Sequence, residues 1–254
     1  MRHAVRILCV AFLVAACPAP GRAAGVCLAW TQCYGDGGVQ LRTFACNTNA
    51  GSNRLVASYV APAGITQLTG NEVTIDFDAG STFLPLWWQF RNTGVCRQNA
   101  LSANVTQDAA WTVCQDYWMG QALAGIGSYD IGFDAPNRAR LRIAVAVPQN
   151  VAGPLQAGQE YFSTNVLVSN IKTVGTPSNS CAGCATPLCI TLSSIKLTQP
   201  NGVTTTMQQP AYPAGYPVGP RFSHIVFWQS LGGTNCFVVP VRAVTWGAVK
   251  SLYR

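Results

Sequence analysis

Histidine and acid are scarce in this chain. Its 254 residues include two His and nine Asp or Glu, and 10% of the sequence is charged. His3 sits in the basic N-terminal stretch, which leaves His224 as the one imidazole for chemistry. A lone His between Phe222 and Ile225 is read as a packed residue rather than a base. No G-x-S-x-G occurs, and Gly127-Ser128-Tyr129-Asp130 lacks the closing glycine, so a nucleophile beside a base is poorly supplied. No eighteen apolar residues stand in a row, which excludes a membrane-spanning helix. Basic runs are missing too, and with them the electrostatic footprint of a nucleic-acid binder.

What the chain has instead is cysteine, eleven in all, nine of them after residue 24. The first 24 residues carry Arg2 and Arg6, an apolar run over 7–16, and small residues with prolines, the layout of a secretory signal peptide ending near Ala23 or Ala24. Val14-Ala15-Ala16-Cys17 offers a rival processing route, a lipoprotein box in which Cys17 is lipidated. With Arg2, Arg6 and Arg22 removed, thirteen basic residues face nine acidic ones, and the net charge falls from +7 to +4. An exported protein meets oxidising conditions, where thiols pair.

Alternation dominates residues 25–254, which supply a single domain with ample core. In Glu72-Val73-Thr74-Ile75-Asp76-Phe77-Asp78 every second residue is apolar. Arg138-Ala139-Arg140-Leu141-Arg142-Ile143 repeats the pattern with arginine on one face and continues until Pro148. Residues 55–60, 101–106, 161–171, 188–197 and 225–228 read as further strands between Gly, Pro, Asn and Ser clusters. Together they predict an all-β fold: a single antiparallel β-sandwich, jelly-roll or Ig/cohesin-like, with short helices and disulfide-stapled loops. The helix candidates are 116–124, stopped by Gly125 and Gly127, and a C-terminal helix or tail over 245–254. Residues 208–220, rich in Pro, read as an extended loop. If the acidic and basic strands are neighbours, cross-strand ion pairs account for both stripes; an anionic-ligand patch on the three arginines is the functional alternative.

Cys181-Ala-Gly-Cys184 with Cys189, completed by His224 or Cys236, has the outline of a zinc site. A convincing ribbon shows a second C-x2-C, and the strand-rich flanks lack the βαβ setting of a redox pair, so bridges are favoured over both. Proximity along the chain predicts Cys33 with Cys46, Cys96 with Cys114, Cys181 with Cys189 and Cys184 with Cys236. Cys27 is then the odd cysteine, placed on a first strand.

Catalysis by paired carboxylates would draw on Asp116, Asp130, Asp134 or Glu160, with no reason in sequence to choose two. Asp76-x-Asp78 offers oxygens to Ca2+ but departs from the EF-hand loop. Two aromatic pairs, Trp87-Trp88 and Tyr117-Trp118, flank the predicted Cys96 to Cys114 bridge. Exposed, they would form a stacking platform for sugar rings; packed inward, they fill the core. One shared W-Q-x6-C, at Trp88 and at Trp228, is too little to make a repeat.

Trp30-Thr-Gln-Cys33, Phe44-Ala-Cys46-Asn-Thr-Asn49, Trp87-Trp88-Gln-Phe90, Gly158-Gln-Glu-Tyr161-Phe162, Cys181-Ala-Gly-Cys184 and the terminal Thr245-Trp-Gly-Ala-Val-Lys-Ser-Leu-Tyr-Arg254 resemble a group of uncharacterised exported bacterial proteins across nearly the whole mature chain. The resemblance implies a secreted or cell-envelope protein and supplies no catalytic residue or cofactor; Cys27 looks like an addition to the group's pattern. The function expected is a non-enzymatic interaction or envelope-structural role with a glycan or envelope protein as partner, glycan contact falling to Trp87, Trp88, Tyr117 and Trp118. A secreted hydrolase using a carboxylate pair is the alternative.

Overall fold

The computed structural model describes residues 23–90, 93–108, 110–208, 210–211 and 223–229. Four strands form the smaller sheet: β1 (Gly25–Trp30), β3 (Ser52–Val60), β5 (Leu101–Asn104) and β8 (Glu160–Ser169), in the order β1-β3-β8-β5. The larger sheet runs β2 (Leu41–Arg42), β11 (Ile225–Trp228), β9 (Leu188–Thr198), β4 (Gly70–Ala79), β7 (Arg138–Ala146), β6 (Leu123–Ile131). The short β10 (Thr204–Met207) also pairs with β9. Pairing is antiparallel apart from the two-residue contact of β11 with β2. The protein is an all-β sandwich.

Alternation becomes burial in the larger sheet. Val73, Ile75 and Phe77 on β4 and Ala139, Leu141 and Ile143 on β7 are fully buried. The residues between them face out, so each strand gives one stripe to the core, at about 1.5–3 kcal/mol for each large side chain removed from water. The central strand β3 differs, because Leu55 to Val60 are buried on both faces. On its neighbour β8 the chain before β6 packs against the sheet, where Gln115 bridges Tyr161 and Trp111 packs edge-on to Phe162 at 5.6 Å.

The acidic and basic strands are neighbours. Register places Asp76 opposite Arg140 and Asp78 opposite Arg138. Arg140 holds Asp76 at 2.6 Å and Arg138 holds Asp78 at 2.8 Å. Two arms of the ladder reach other strands: Glu72 pairs with Lys196 on β9 at 3.1 Å, and Arg142 with Asp130 on β6 at 2.9 Å. These contacts occupy the three arginines, so compensation within the sheet, rather than an anionic ligand, explains the stripe.

Two local expectations are corrected. Residues 116–124 do not form a helix: Met119 and Gly120 take positive φ (48° and 73°), Trp118 donates its N–H to the Asp116 side chain, and β6 begins at Leu123. The helical elements among the described residues are three-residue 3-10 turns at Tyr34–Asp36, Leu86–Trp88, Gln149–Val151 and Pro200–Gly202. No described helix is long and apolar enough to cross a membrane. The expected signal peptide up to residue 22, with Cys17, most of the expected 208–220 loop, and the expected helix or tail over 245–254 lie outside the described residues.

The bridges are also rearranged. Cys33 joins Cys114, Cys46 joins Cys184, and Cys96 joins Cys181, across sequence separations of 81, 138 and 85. Pairings of Cys33 with Cys46, Cys96 with Cys114, Cys181 with Cys189, and Cys184 with Cys236 are therefore excluded. Proximity along the chain failed because sandwich topology brings together loops that are remote in sequence. Cys189 is disulfide-bonded as well, and Cys236 lies outside the described residues. Cys27 is buried on β1 and belongs to none of these bridges.

Candidate functional site

The two flanks of the sandwich are built differently. On one flank the edge strand β1 is capped along its length. Leu28 donates its N–H to Ser223 (2.7 Å), Ala211 donates to Val26 (3.1 Å), and Trp30 exchanges backbone bonds with Val39. The Trp30 indole then reaches across to the carbonyl of Phe227 on β11 at 3.0 Å, tying the sheets together.

On the other flank the edge strands β5 and β6, each the last of its sheet, come together without pairing. Between them lies a cleft of about 460 Å³ lined by Phe90, Asn99, Leu101, Ser102, Ala103, Ile126, Gly127, Ser128 and Tyr129. That volume falls within the range of small-molecule pockets. None of these nine side chains is charged. Phe90 and Tyr129, edge to face at 5.4 Å, supply the aromatic wall, and the Tyr129 hydroxyl is fixed by donating to the Trp88 carbonyl at 2.6 Å. Asn99 stands at the mouth with φ 58°, a left-handed conformation that Asn tolerates better than most residues.

Gly127 shapes the β6 wall. The β6–β7 register slips between Ile126 and Ser128, so Gly127 is an extra residue without a partner in the ladder. A Cβ added at Gly125 would meet nothing within 4 Å, and at Gly127 only the Arg142 carbonyl at 3.7 Å. Glycine inside a strand often marks a bulge or a close backbone approach. These two glycines carried the missed signal, because the helix expected at 116–124 turned them into stop residues.

The aromatic residues singled out in the sequence are brought into the core rather than onto a platform. Trp87, Trp88 and Trp118 are buried, and Tyr117 is partly buried against Trp118 and Tyr161. Trp87 and Trp88 pack on Trp228 at 4.9 and 5.0 Å, and Trp228 stacks on Phe44 at 4.0 Å. The Trp118 indole donates to Ser163, and the Tyr117 hydroxyl donates to Leu68 while accepting from the Gly153 N–H. Arg97, also buried, lies on the face of Trp87 at 3.6 Å and donates to the Ser169 carbonyl. Burial lowers the Arg97 pKa to about 9, and its Nε and Nη1 find no acceptor.

The C-x2-C segment is a clamp. Cys181 and Cys184 bridge to different loops, and Gly183 (φ 110°) lets Pro85 pack where a Cβ would stand. The sulfurs of Cys33 and Cys114 lie near the Glu160 carboxylate, but bridged sulfurs offer no thiolate to a metal. Glu160 accepts from Ser58 Oγ at 2.7 Å and from the Gly35 N–H at 3.0 Å. Next to that bridge, burial works against the charge of Asp36. Hydrogen bonds from Val113, Thr112 and Cys114 outweigh it and hold the carboxyl below its ordinary pKa. His224 is pushed below its usual value by burial.

The four acids weighed for hydrolysis are committed separately. Asp116 caps Trp118, Asp130 pairs with Arg142, Asp134 pairs with Arg138, and Glu160 holds Ser58 and Gly35. Asp76 and Asp78, weighed for calcium, hold arginines.

Two solved structures align with the chain at low similarity. The cohesin module from the Clostridium perfringens family 33 glycoside hydrolase aligns at 9% identity and TM-score 0.35, over 73% of this chain and 92% of that one. ACE19, the collagen binding subdomain of the Enterococcus faecalis surface protein ACE, aligns at 9% identity and TM-score 0.23, over 75% and 94%. Likeness at this level says nothing about the site. The sequence matches no protein-family model and no curated protein.

Proposed function

We propose that the chain is an exported, disulfide-stapled β-sandwich that acts by binding, with the β5–β6 cleft as its binding site. The observation that carries this reading is the contrast of flanks: β1 is capped by backbone and indole bonds, whereas β5 and β6 leave an uncharged cleft open between them. The bridges support an oxidising compartment, either secreted or at the cell envelope. Glycan contact through Trp87, Trp88 and Trp118 would require rings that are buried; a sugar would instead meet Tyr129, Asn99, Ser102 and Ser128. Hydrolysis by a carboxylate pair is disfavoured because each candidate acid already has a partner.

A glycan-array and cell-surface binding screen tests the proposal, comparing the mature protein with Ala103→Trp, which fills the cleft. Binding retained by the wild type and lost in Ala103→Trp supports it. Binding indifferent to that substitution, or release of new reducing ends from a bound glycan, overturns it.

A further inference from the structure

β6 is a nine-residue edge strand, and among the described residues its outer side pairs with no strand. Sheet edges of that length are usually blunted by Lys, by Pro, by bulges or by a covering segment, because their unpaired N–H and C=O groups recruit other strands, and on β6 the one such device among the described residues is the bulge at Gly127. From Leu123 to Ile131 the chain has no Lys, Arg or Pro. Its one charge, Asp130, is neutralised by Arg142. Leu123, at the start of the strand, is 83% exposed. The bulge at Gly127 divides the strand into two regularly paired stretches, 123–126 and 128–131. The uncharged cleft beside the strand suits alternate side chains of an extended segment and disfavours charged ones.

From this juxtaposition we infer that β6 accepts an extended, uncharged peptide segment of a partner protein as an added strand, with every second side chain entering the cleft. The inference rests on the binding role proposed above and names the partner's chemistry. Main-chain hydrogen bonds to β6 give affinity, and the cleft gives selectivity.

The test uses the full mature chain with its bridges intact. The probes are nine-residue peptides alternating Thr and Val, solubilised by a terminal polyethylene glycol. One control carries N-methyl groups at alternate residues, and another has Asp in place of Val. Titration is combined with amide hydrogen exchange. The expected result is binding by the Thr/Val peptide with slowed exchange over residues 123–131. The N-methyl probe, the Asp probe and the Ser102→Trp variant should each bind at least about tenfold more weakly, about 1.4 kcal/mol. Equal binding of the N-methyl peptide, or protection elsewhere, overturns strand addition. No binding up to ~1 mM, about −4 kcal/mol, also overturns it. A glycan ligand still lost in Ala103→Trp would then leave the binding role standing, and indifference of every ligand to the cleft would remove both. Protection of 123–131 that accompanies dimerisation by sedimentation makes a second copy the occupant, and protection that vanishes on deleting 230–254 makes it this chain's own segment. Either result overturns the partner.

Discussion

The capped and open flanks are made from the same kinds of strand, and they differ in the path the chain takes on leaving each edge. After β1 the chain turns back through Val39 and Gln40, so the edge is met by neighbouring backbone and by β11 of the opposite sheet. After β5 the chain packs against β8 through Trp111 and Gln115 and returns as β6 in the larger sheet. The two edges are thus left facing each other across a cleft. The aromatic cluster spans both: Trp30, Phe44, Trp228 and Trp87 interlock beside the capped edge, and Trp88 and Phe90 carry the packing on to Tyr129, so that one Phe and one Tyr reach the cleft. The capped edge is therefore expected to carry more of the stability, and the open edge the accessible surface.

If that division holds, the largest losses of stability come from the capped flank. Removing the bridge with Cys46→Ser and Cys184→Ser should cost about 5 kcal/mol in the chain-entropy model, given its separation of 138 residues. Urea unfolding with the other bridges intact measures it, and a loss under about 1 kcal/mol would break the comparison. Trp228→Ala should come next at about 3–5 kcal/mol, because it opens a cavity among Trp87, Trp88 and Phe44 and orphans the Cys184 carbonyl that accepts the indole N–H at 2.6 Å.

Asp36→Asn should cost about 1–2 kcal/mol at neutral pH, near the lower end for hydrogen bonds to a charged group because Asp36 is only half-buried. The carboxyl is held below its ordinary pKa of 3.8 in the folded protein, so its contribution is present above the unfolded value and lost as pH falls through the folded one. Melting curves should show the gap between wild type and variant closing at low pH; a gap that widens there would refute the assignment. The charge ladder ranks lower. Asp76 and Arg140 remain 29% and 23% exposed, so a double-mutant cycle should return about 0.5–1 kcal/mol, reduced by salt.

Strands were legible in the sequence wherever one face is buried: alternation over 72–78 and 138–143 marks β4 and β7, and their complementary charges made neighbourhood one reading, which the register bears out. β6 was misread, since Asp116 to Ala124 contains good helix formers, and the positive-φ break at Met119 and Gly120 leaves no hydrophobic signal. Bridge pairing was not legible, because Cys33 and Cys114 meet through a topology that spacing does not encode. The aromatic pairs were visible as residues, but their burial depends on which sheet face each loop covers. The cleft was invisible for a related reason: its walls are assembled from two edges about twenty residues apart, and neither carries a motif.

The smallest stability change should come from the open flank, where it tests the division most directly. Ser102 is exposed on β5 and lines the cleft. No hydrogen bond, ion pair or packed core is lost when it becomes Trp, so unfolding free energy should shift by no more than about 0.5 kcal/mol. The indole nevertheless occupies the space between β5 and β6, and binding should fall at least about tenfold. Stability and binding would then separate by flank, since Trp228→Ala changes the first strongly and reaches the second only through global unfolding. If Ser102→Trp instead destabilises the protein by several kcal/mol, β5 and β6 are closely packed and the open flank belongs to the core.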